Sequence, residues 1–260
     1  MVVIIKTKEE IDILREGGHR LATILAKVAE KVKPGISTLE LDKYAYELII
    51  DGGDESAFLN YKPEGVSRPY PASLCTSVND EVVHGIPNKN KILKEGDIIS
   101  LDLGIKHKGL FTDHAVTISV GDKSKLNKIS ANLLHVTKEA LTVGIDAARG
   151  GNTVGDIGHA IEQYIKKQNK NYGIVRELSG HGVGKKIHED PYIPNFGKPG
   201  KGQKLIPGMV VAIEPMLNIG QDDIISLDDD YTIKTKDGSR SAHFEHTILI
   251  TDTDAEILTI

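Results

Sequence analysis

The chain has 260 residues, 39% of them hydrophobic and 27% charged, with a formal net charge of −5. That balance suits a globular protein and excludes a global basic field for nucleic acid, and no apolar run approaches the roughly 20 residues that span a bilayer. One cysteine, Cys75, excludes an intrachain disulfide framework; with no secretory leader pattern in MVVIIKTKEE, a cytoplasmic, monomeric protein is expected.

A helix is expected from Thr7. Thr7 and Glu10 have capping-box spacing, in which each side chain satisfies a backbone N–H at the helix start. Ile11, Leu14, Leu21, Leu25 and Val28 then follow at a helical period, and Pro34-Gly35 ends the segment. Ser37 and Glu40 repeat the capping box ahead of Leu41, Tyr44, Ala45 and Leu48, and Gly52-Gly53 stops this second helix. Segment 60–71, NYKPEGVSRPYP, reads as a loop. Strand-like runs follow at 72–78, 97–105 and 110–120, the last two flanking His107-Lys108-Gly109 as an antiparallel hairpin. Helical periodicity returns at 125–143 and 153–166. Strands are expected at 174–178, 209–217, 231–236 and 243–251, the last two around an Asp237-Gly238 turn, with the acidic segment 221–230 as a solvated loop.

This order is helix, helix, strands, written twice. GDIISLD (96–102) aligns with GMVVAIE (208–214), setting Asp102 opposite Glu214 at an offset of 112. GISTLELD (35–42) aligns with GNTVGDIG (151–158) at an offset of 116. The expectation is a single α+β domain over 1–260 made of two duplicated halves, 7–120 and 125–251, with no linker between them.

Asp102 in IISLDLGI and Glu214 in VVAIEPML lie mid-strand in strongly apolar settings. Asp113 in LFTDHAV and Glu245 in AHFEHTILI repeat the pattern on the second strands of their hairpins. A buried, unpaired carboxylate is costly and either protonates or finds a partner. Taken singly, each is explained by a lysine or a backbone N–H. Four at corresponding places would concentrate negative charge at a pseudo-twofold axis. Two divalent cations supply four positive charges, which favours a dinuclear metal centre over a plain acid–base pair. GHGVGKKIHEDP (180–191) adds His181 and His188 among alternating glycines, a pattern that alone is compatible with a phosphate loop or half a zinc site. HExxH, Gly-Lys-Ser/Thr, GxSxG and CxxC are all absent.

The Asp102/Asp113 pair eleven residues apart, SGHGVGKKIHEDP (179–191), GMVVAIEPM (208–216), FEHTILIT (244–251) and SVNDEVVHGIP (77–87) together resemble methionine aminopeptidase, type I, along essentially the whole chain. The resemblance implies the pita-bread α+β fold, whose two pseudo-twofold halves enclose a dinuclear site. It implies five metal ligands, Asp102, Asp113, His181, Glu214 and Glu245, with Asp113 and Glu245 bridging two divalent ions. An oxygen-rich set with one imidazole suits Co, Mn or Fe, with Zn or Ni as further candidates. It implies that metal-activated water attacks the first peptide bond of newly synthesised chains that begin with methionine and carry a small second residue. Glu214 would handle the proton, and His84 and His188 would hydrogen-bond substrate. Nascent N-termini and a ribosome contact are the implied partners, with neither membrane nor specific nucleic acid.

Tyr70, Cys75 and Tyr231 match pocket positions for the methionine side chain, an unbranched thioether suited to a soft apolar lining. Departures from the commonest bacterial pattern are His114 after Asp113, Ile187 before His188, and the length of the loop before Tyr70. His19, His107, His135, His159, His243 and His246 are expected at the surface or in local hydrogen bonds. The rival enzyme is a proline-specific peptidase of the same fold, which usually carries an extra N-terminal domain for which a helix starting at Thr7 leaves no room. Type II methionine aminopeptidases carry an insert between the histidine and the first glutamate, whereas only 33 positions separate His181 from Glu214 here. A non-catalytic binding module would show lost ligands, and all five are present.

Overall fold

The computed structural model describes residues 2–260. Both capping boxes form as read: Glu10 accepts from the Thr7 N–H at 2.9 Å and Glu40 from the Ser37 N–H at 2.9 Å, opening helices α1 (Lys8–Glu30) and α2 (Thr38–Asp51). Helix α1 stops before Pro34, because proline disfavours the helical region for the residue ahead of it. Helices α3 (Lys128–Ala147) and α4 (Val154–Lys166) repeat the pair in the second half.

In the first half the strands are β1 (Glu55–Ser56), β2 (Leu74–Val78), β3 (Glu81–Val83), β4 (Ile98–His107) and β5 (Leu110–Ser119). The second half adds β6 (Gly173–Ile174), β7 (Ser179–Gly182), β8 (Glu189–Pro194), β9 (Val210–Ile213), β10 (Met216–Asn218), β11 (Ile224–Ser226), β12 (Ile233–Thr235), β13 (Ser241–His243), β14 (Glu245–Leu249) and β15 (Glu256–Ile257). The principal sheet runs β1-β4-β5-β14-β9-β7-β8, with β2 added on β4 and β15 on β14. Every pairing in it is antiparallel.

Alternation along β4 divides the molecule into layers. Ile99, Leu101, Leu103 and Ile105 pack with Leu21, Leu25, Leu41 and Ile49 of α1 and α2. In the other half, Val211, Ile213 and Ile248 pack with Leu133, Val136, Ile157 and Ile161 of α3 and α4. Side chains of opposite parity, Asp102 among them, therefore leave the helix layer and face the other side of the sheet. That side is also covered, by Phe58, Tyr70, Cys75, Ile187 and Tyr231, so β4 is buried on both faces although only one of them is apolar.

Three strand expectations and one loop expectation need correction. The run 209–217 is broken at Glu214-Pro215 into β9 and β10, because Pro215 has no N–H for a ladder. The strands near 231–236 and 243–251 do not form a hairpin about Asp237-Gly238. Instead β12 pairs with β11 and β3, while β14 joins the principal sheet. Segment 221–230 is consequently not all loop, since it contains β11. The strand expected at 174–178 is limited to Gly173–Ile174.

Candidate metal centre

Five consecutive strands of the principal sheet, β4-β5-β14-β9-β7, each deliver one polar side chain to one cavity. In that order they are Asp102, Asp113, Glu245, Glu214 from just beyond β9, and His181. Register explains the convergence. Asp102 lies opposite Ala115, Gly104 opposite Asp113 and Glu245 opposite Ala115, so Asp102, Asp113 and Glu245 share a face. The intervening His114 pairs with Leu103 and His246, and these histidines point to the helix side. There their rings stack at 4.6 Å, and His114 Nδ1 bonds the Glu245 carbonyl. His114 therefore does not enter the cavity.

His181 Nε2 lies 3.5 Å from Glu214 Oε1 and 3.9 Å from Asp113 Oδ2. Its Nδ1 donates to the Gly182 carbonyl at 2.9 Å, which leaves the Nε2 lone pair aimed at the carboxylates. The glycines of this stretch serve backbone contact rather than phosphate: a Cβ at Gly180 would lie 2.3 Å from the Ala212 carbonyl oxygen, and one at Gly182 equally close to that of Asp190. Asp113 is held through its backbone, its N–H donating to Thr247 Oγ1 at 2.9 Å while that hydroxyl donates to the Asp113 carbonyl at 2.7 Å.

Ligand-type atoms of Asp102, Asp113 and Glu245 lie within 4.8 Å of one another, as do those of His181, Glu214 and Glu245. Burial raises all four carboxyls: Asp102 to about 6, Asp113 and Glu245 well above the usual range, and Glu214 upward. Mutual repulsion adds to this for Asp102, Asp113 and Glu245. The imidazoles go the other way, His181 to about 3 and His84 and His188 to about 4, because burial disfavours their cations. Among the described residues no lysine or arginine lines the cavity, and Asp102 Oδ1 and Glu245 Oε1 are buried without a hydrogen-bond partner. Buried carboxylates with no countercharge and unspent lone pairs are what divalent cations satisfy, so the donor set fits two such ions.

The cavity encloses about 190 Å³. Tyr70, Cys75 and Tyr231 line it together with Phe58, Tyr61 and Ile233. Tyr70 and Tyr231 meet edge to face at 5.0 Å, and burial raises the Cys75 thiol well above its ordinary value, which keeps it protonated. His84 enters from a backbone with φ of 57°, a left-handed conformation that costs a non-glycine residue energy. Gly85 secures it, with its N–H on Ser77 Oγ and its carbonyl receiving the Thr76 N–H. His188 keeps an exposed edge; its Nδ1 is 2.9 Å from the Tyr61 hydroxyl, and its ring lies 4.5 Å from that of His181. It also comes within 4.8 Å of Asp113 and His181.

Sequence reasoning missed His243. Far from the surface, it is buried with Nε2 3.4 Å from Glu214 Oε2 and 3.9 Å from Glu245 Oε2. The available signal was its spacing of two from Glu245, which puts both on one face of an extended segment. His107 is likewise buried, on Asp54, away from the cavity.

The model of metallopeptidase family M24 matches residues 12–252. Methionine aminopeptidase 1 of Bacillus subtilis is 45% identical over 258 residues, covering 99% of each chain. Methionine aminopeptidase of Aquifex aeolicus is 43% identical over 263 residues, covering 100% of this chain and 99% of its own. Among solved structures, methionine aminopeptidase from Thermotoga maritima aligns over 99% of both chains with a TM-score of 0.92 at 40% identity. That of Rickettsia prowazekii aligns over 100% of both at 0.93 and 38%. The prolidase of Pyrococcus horikoshii has a TM-score of 0.74 at 22% identity over 63% of its own length, a likeness of fold alone.

Proposed function

The chain belongs to the methionine aminopeptidases of metallopeptidase family M24 and is a metal-dependent hydrolase of N-terminal methionine; from that premise we propose which of its residues hold metal, substrate and proton. One observation carries the assignment above the others: four largely buried carboxylates and one oriented imidazole meet, with no lysine or arginine among the described residues that line their cavity. Asp102, Asp113, His181, Glu214 and Glu245 would hold two divalent ions, with Co, Mn or Fe suited to the chemistry of the donors. When bound, these ions neutralise the carboxylates, acidify water towards a pKa of about 7 and polarise the scissile carbonyl.

Glu214 accepts the proton of the attacking water and returns it to the leaving amine. Asn195 Nδ2 donates to its carbonyl at 3.1 Å, and His243 Nε2 lies 3.4 Å from Oε2. His188 acts as a donor rather than a ligand in this reading: its Nδ1 lies 2.9 Å from the Tyr61 hydroxyl, and the tautomer in which that hydroxyl donates leaves the ring proton on Nε2. His84, neutral because burial lowers it to about 4, offers a second ring N–H. Each such donor to a developing oxyanion is worth about 3 kcal/mol of barrier. The methionine side chain enters among Phe58, Tyr70, Cys75 and Tyr231, and the whole of 1–260 acts as one catalytic domain on newly made chains with a small second residue.

Metal-free protein reloaded with Mn, Fe or Co and offered Met-Ala-Ser and Ala-Pro peptides tests the reading. Release of methionine only, and only with metal, is expected. Metal-free turnover, or equal release from the Ala-Pro peptide, would overturn it.

A further inference from the structure

Residues 62–69 leave the fold through a narrow neck. Asn60 N–H bonds the Tyr70 carbonyl at 2.9 Å and Tyr70 N–H the Tyr61 carbonyl at 2.8 Å, with Asn60 at a positive φ of 66°. A loop tied only at its neck would be free to swing. This one is fastened at its far side to residues 229–231. Ser67 Oγ donates to Asp230 Oδ2, Arg68 Nη2 donates to the Asp229 carbonyl at 3.0 Å, and the Tyr231 hydroxyl donates to the Arg68 carbonyl at 2.7 Å. Asp229 in turn receives the N–H groups of Tyr231 and Thr232, so the partner segment is itself rigid.

The inner side of the fastened loop presents Pro63 and Val66 to the catalytic cavity. Both are half-buried, whereas Tyr70 and Cys75 are only 3% and 4% exposed. The deep end thus belongs to Tyr70 and Cys75, and the mouth to Pro63 and Val66. A peptide whose first side chain occupies the deep end must leave through the mouth, where its second side chain is the first to meet the wall.

We propose that the 62–69 loop, latched through Ser67 and Arg68 to residues 229–231, is the specificity-determining wall for the residue after the substrate's methionine, with Val66 and Pro63 setting its permitted size. This rests on the aminopeptidase reading above. Removing two methyl groups at the wall changes the room for the second side chain without touching the metal donors. A pocket contact of one methylene changes discrimination by roughly 10–200-fold.

The experiment measures kcat/KM for Met-Ala-Ser, Met-Val-Ser and Met-Leu-Ser with the metal-loaded wild type and with Val66→Ala, Val66→Phe and Ser67→Ala. The preference for Met-Ala-Ser over Met-Leu-Ser should fall about tenfold in Val66→Ala, rise in Val66→Phe, and fall by a smaller factor in Ser67→Ala. Preferences unchanged in both Val66 variants would overturn the proposal. A wild type that fails on Met-Ala-Ser sinks the aminopeptidase reading instead, a separate outcome.

Discussion

Asp102 and Asp113 reach the cavity from the middle of an unbroken hairpin, whereas Glu214 and Glu245 reach it from places where strands stop or start. In the first half, ten paired residues on each side of a tight turn fix the carboxylates, and the short aspartate side chain suffices. In the second half, Glu214 lies at the break before Pro215, Glu245 is the first residue of β14, and the longer glutamate spans the remaining gap. The lesson is that the same charge is positioned by the backbone ladder on one side and by side-chain supports on the other. Asp113 has the ladder and Thr247; Glu214 has Asn195 Nδ2 on its carbonyl at 3.1 Å and His243 Nε2 3.4 Å from Oε2.

Removing a carboxylate should be equally damaging on either side. Asp113→Ala and Glu245→Ala are each expected to lower kcat by about a thousandfold or more, at or above the effect of losing a transition-state donor. Retained turnover in either variant would break the equivalence. The supports should then separate the halves. Asn195→Ala and His243→Ala are expected to weaken metal affinity about 10–100-fold, the effect of losing groups that orient ligands, while Thr247→Val weakens it less because the ladder remains. Calorimetric titration of metal into each variant reads this order directly.

A third support comes from the chain's beginning. Lys6 Nζ lies 2.6 Å from Glu189 Oε2, with side chains 1% and 2% exposed, and Glu189 Oε1 receives the Lys186 N–H. This pair braces the turn that carries His188. Lys6→Met leaves a buried charge unpaired and should cost about 3–5 kcal/mol in denaturant unfolding. Glu189→Gln in the Lys6→Met background should recover part of the loss.

The smallest predicted effect is the pH dependence of the metal's stabilisation. Asp102 is raised to about 6 in the folded chain from an ordinary 3.8, so its contribution without metal is full below 3.8 and lost as pH rises through 6. His114 and His246 are lowered to about 3 and 4 from 6.5, so theirs is full above 6.5 and lost as pH falls towards those values. Metal binds the ionised carboxylates and removes the first loss but not the second. The gain in Tm on adding Mn should therefore be larger at pH 7.5 than at pH 5, and an equal gain would contradict the assignment of Asp102 as a ligand.

Legibility in the sequence followed the same division. Asp102 and Asp113 stood out because an unbroken hairpin writes its alternation into consecutive residues, and a charge among Ile, Leu and Val is conspicuous. Glu214 is equally conspicuous among apolar neighbours, but an apolar run hides the strand break that Pro215 imposes beside it. His243 is hidden in the sequence because β13 has only three residues and carries no apolar period to make its burial evident. Phe58 and Tyr61 come from irregular chain, where no period exists, and only the tertiary fold brings them to the cavity. The helices are legible because capping boxes are local, whereas the partners of β11 and β12 depend on contacts far along the chain.

The central claim is that these two unlike halves hold two ions between them. Crystals soaked in Mn and measured at the metal absorption edge should show two anomalous peaks in the cavity, both contacting Asp113 and Glu245, with Asp102 on one and His181 and Glu214 on the other. A single peak held by Asp113, His181 and His188, or no peak among the four carboxylates, would contradict the account.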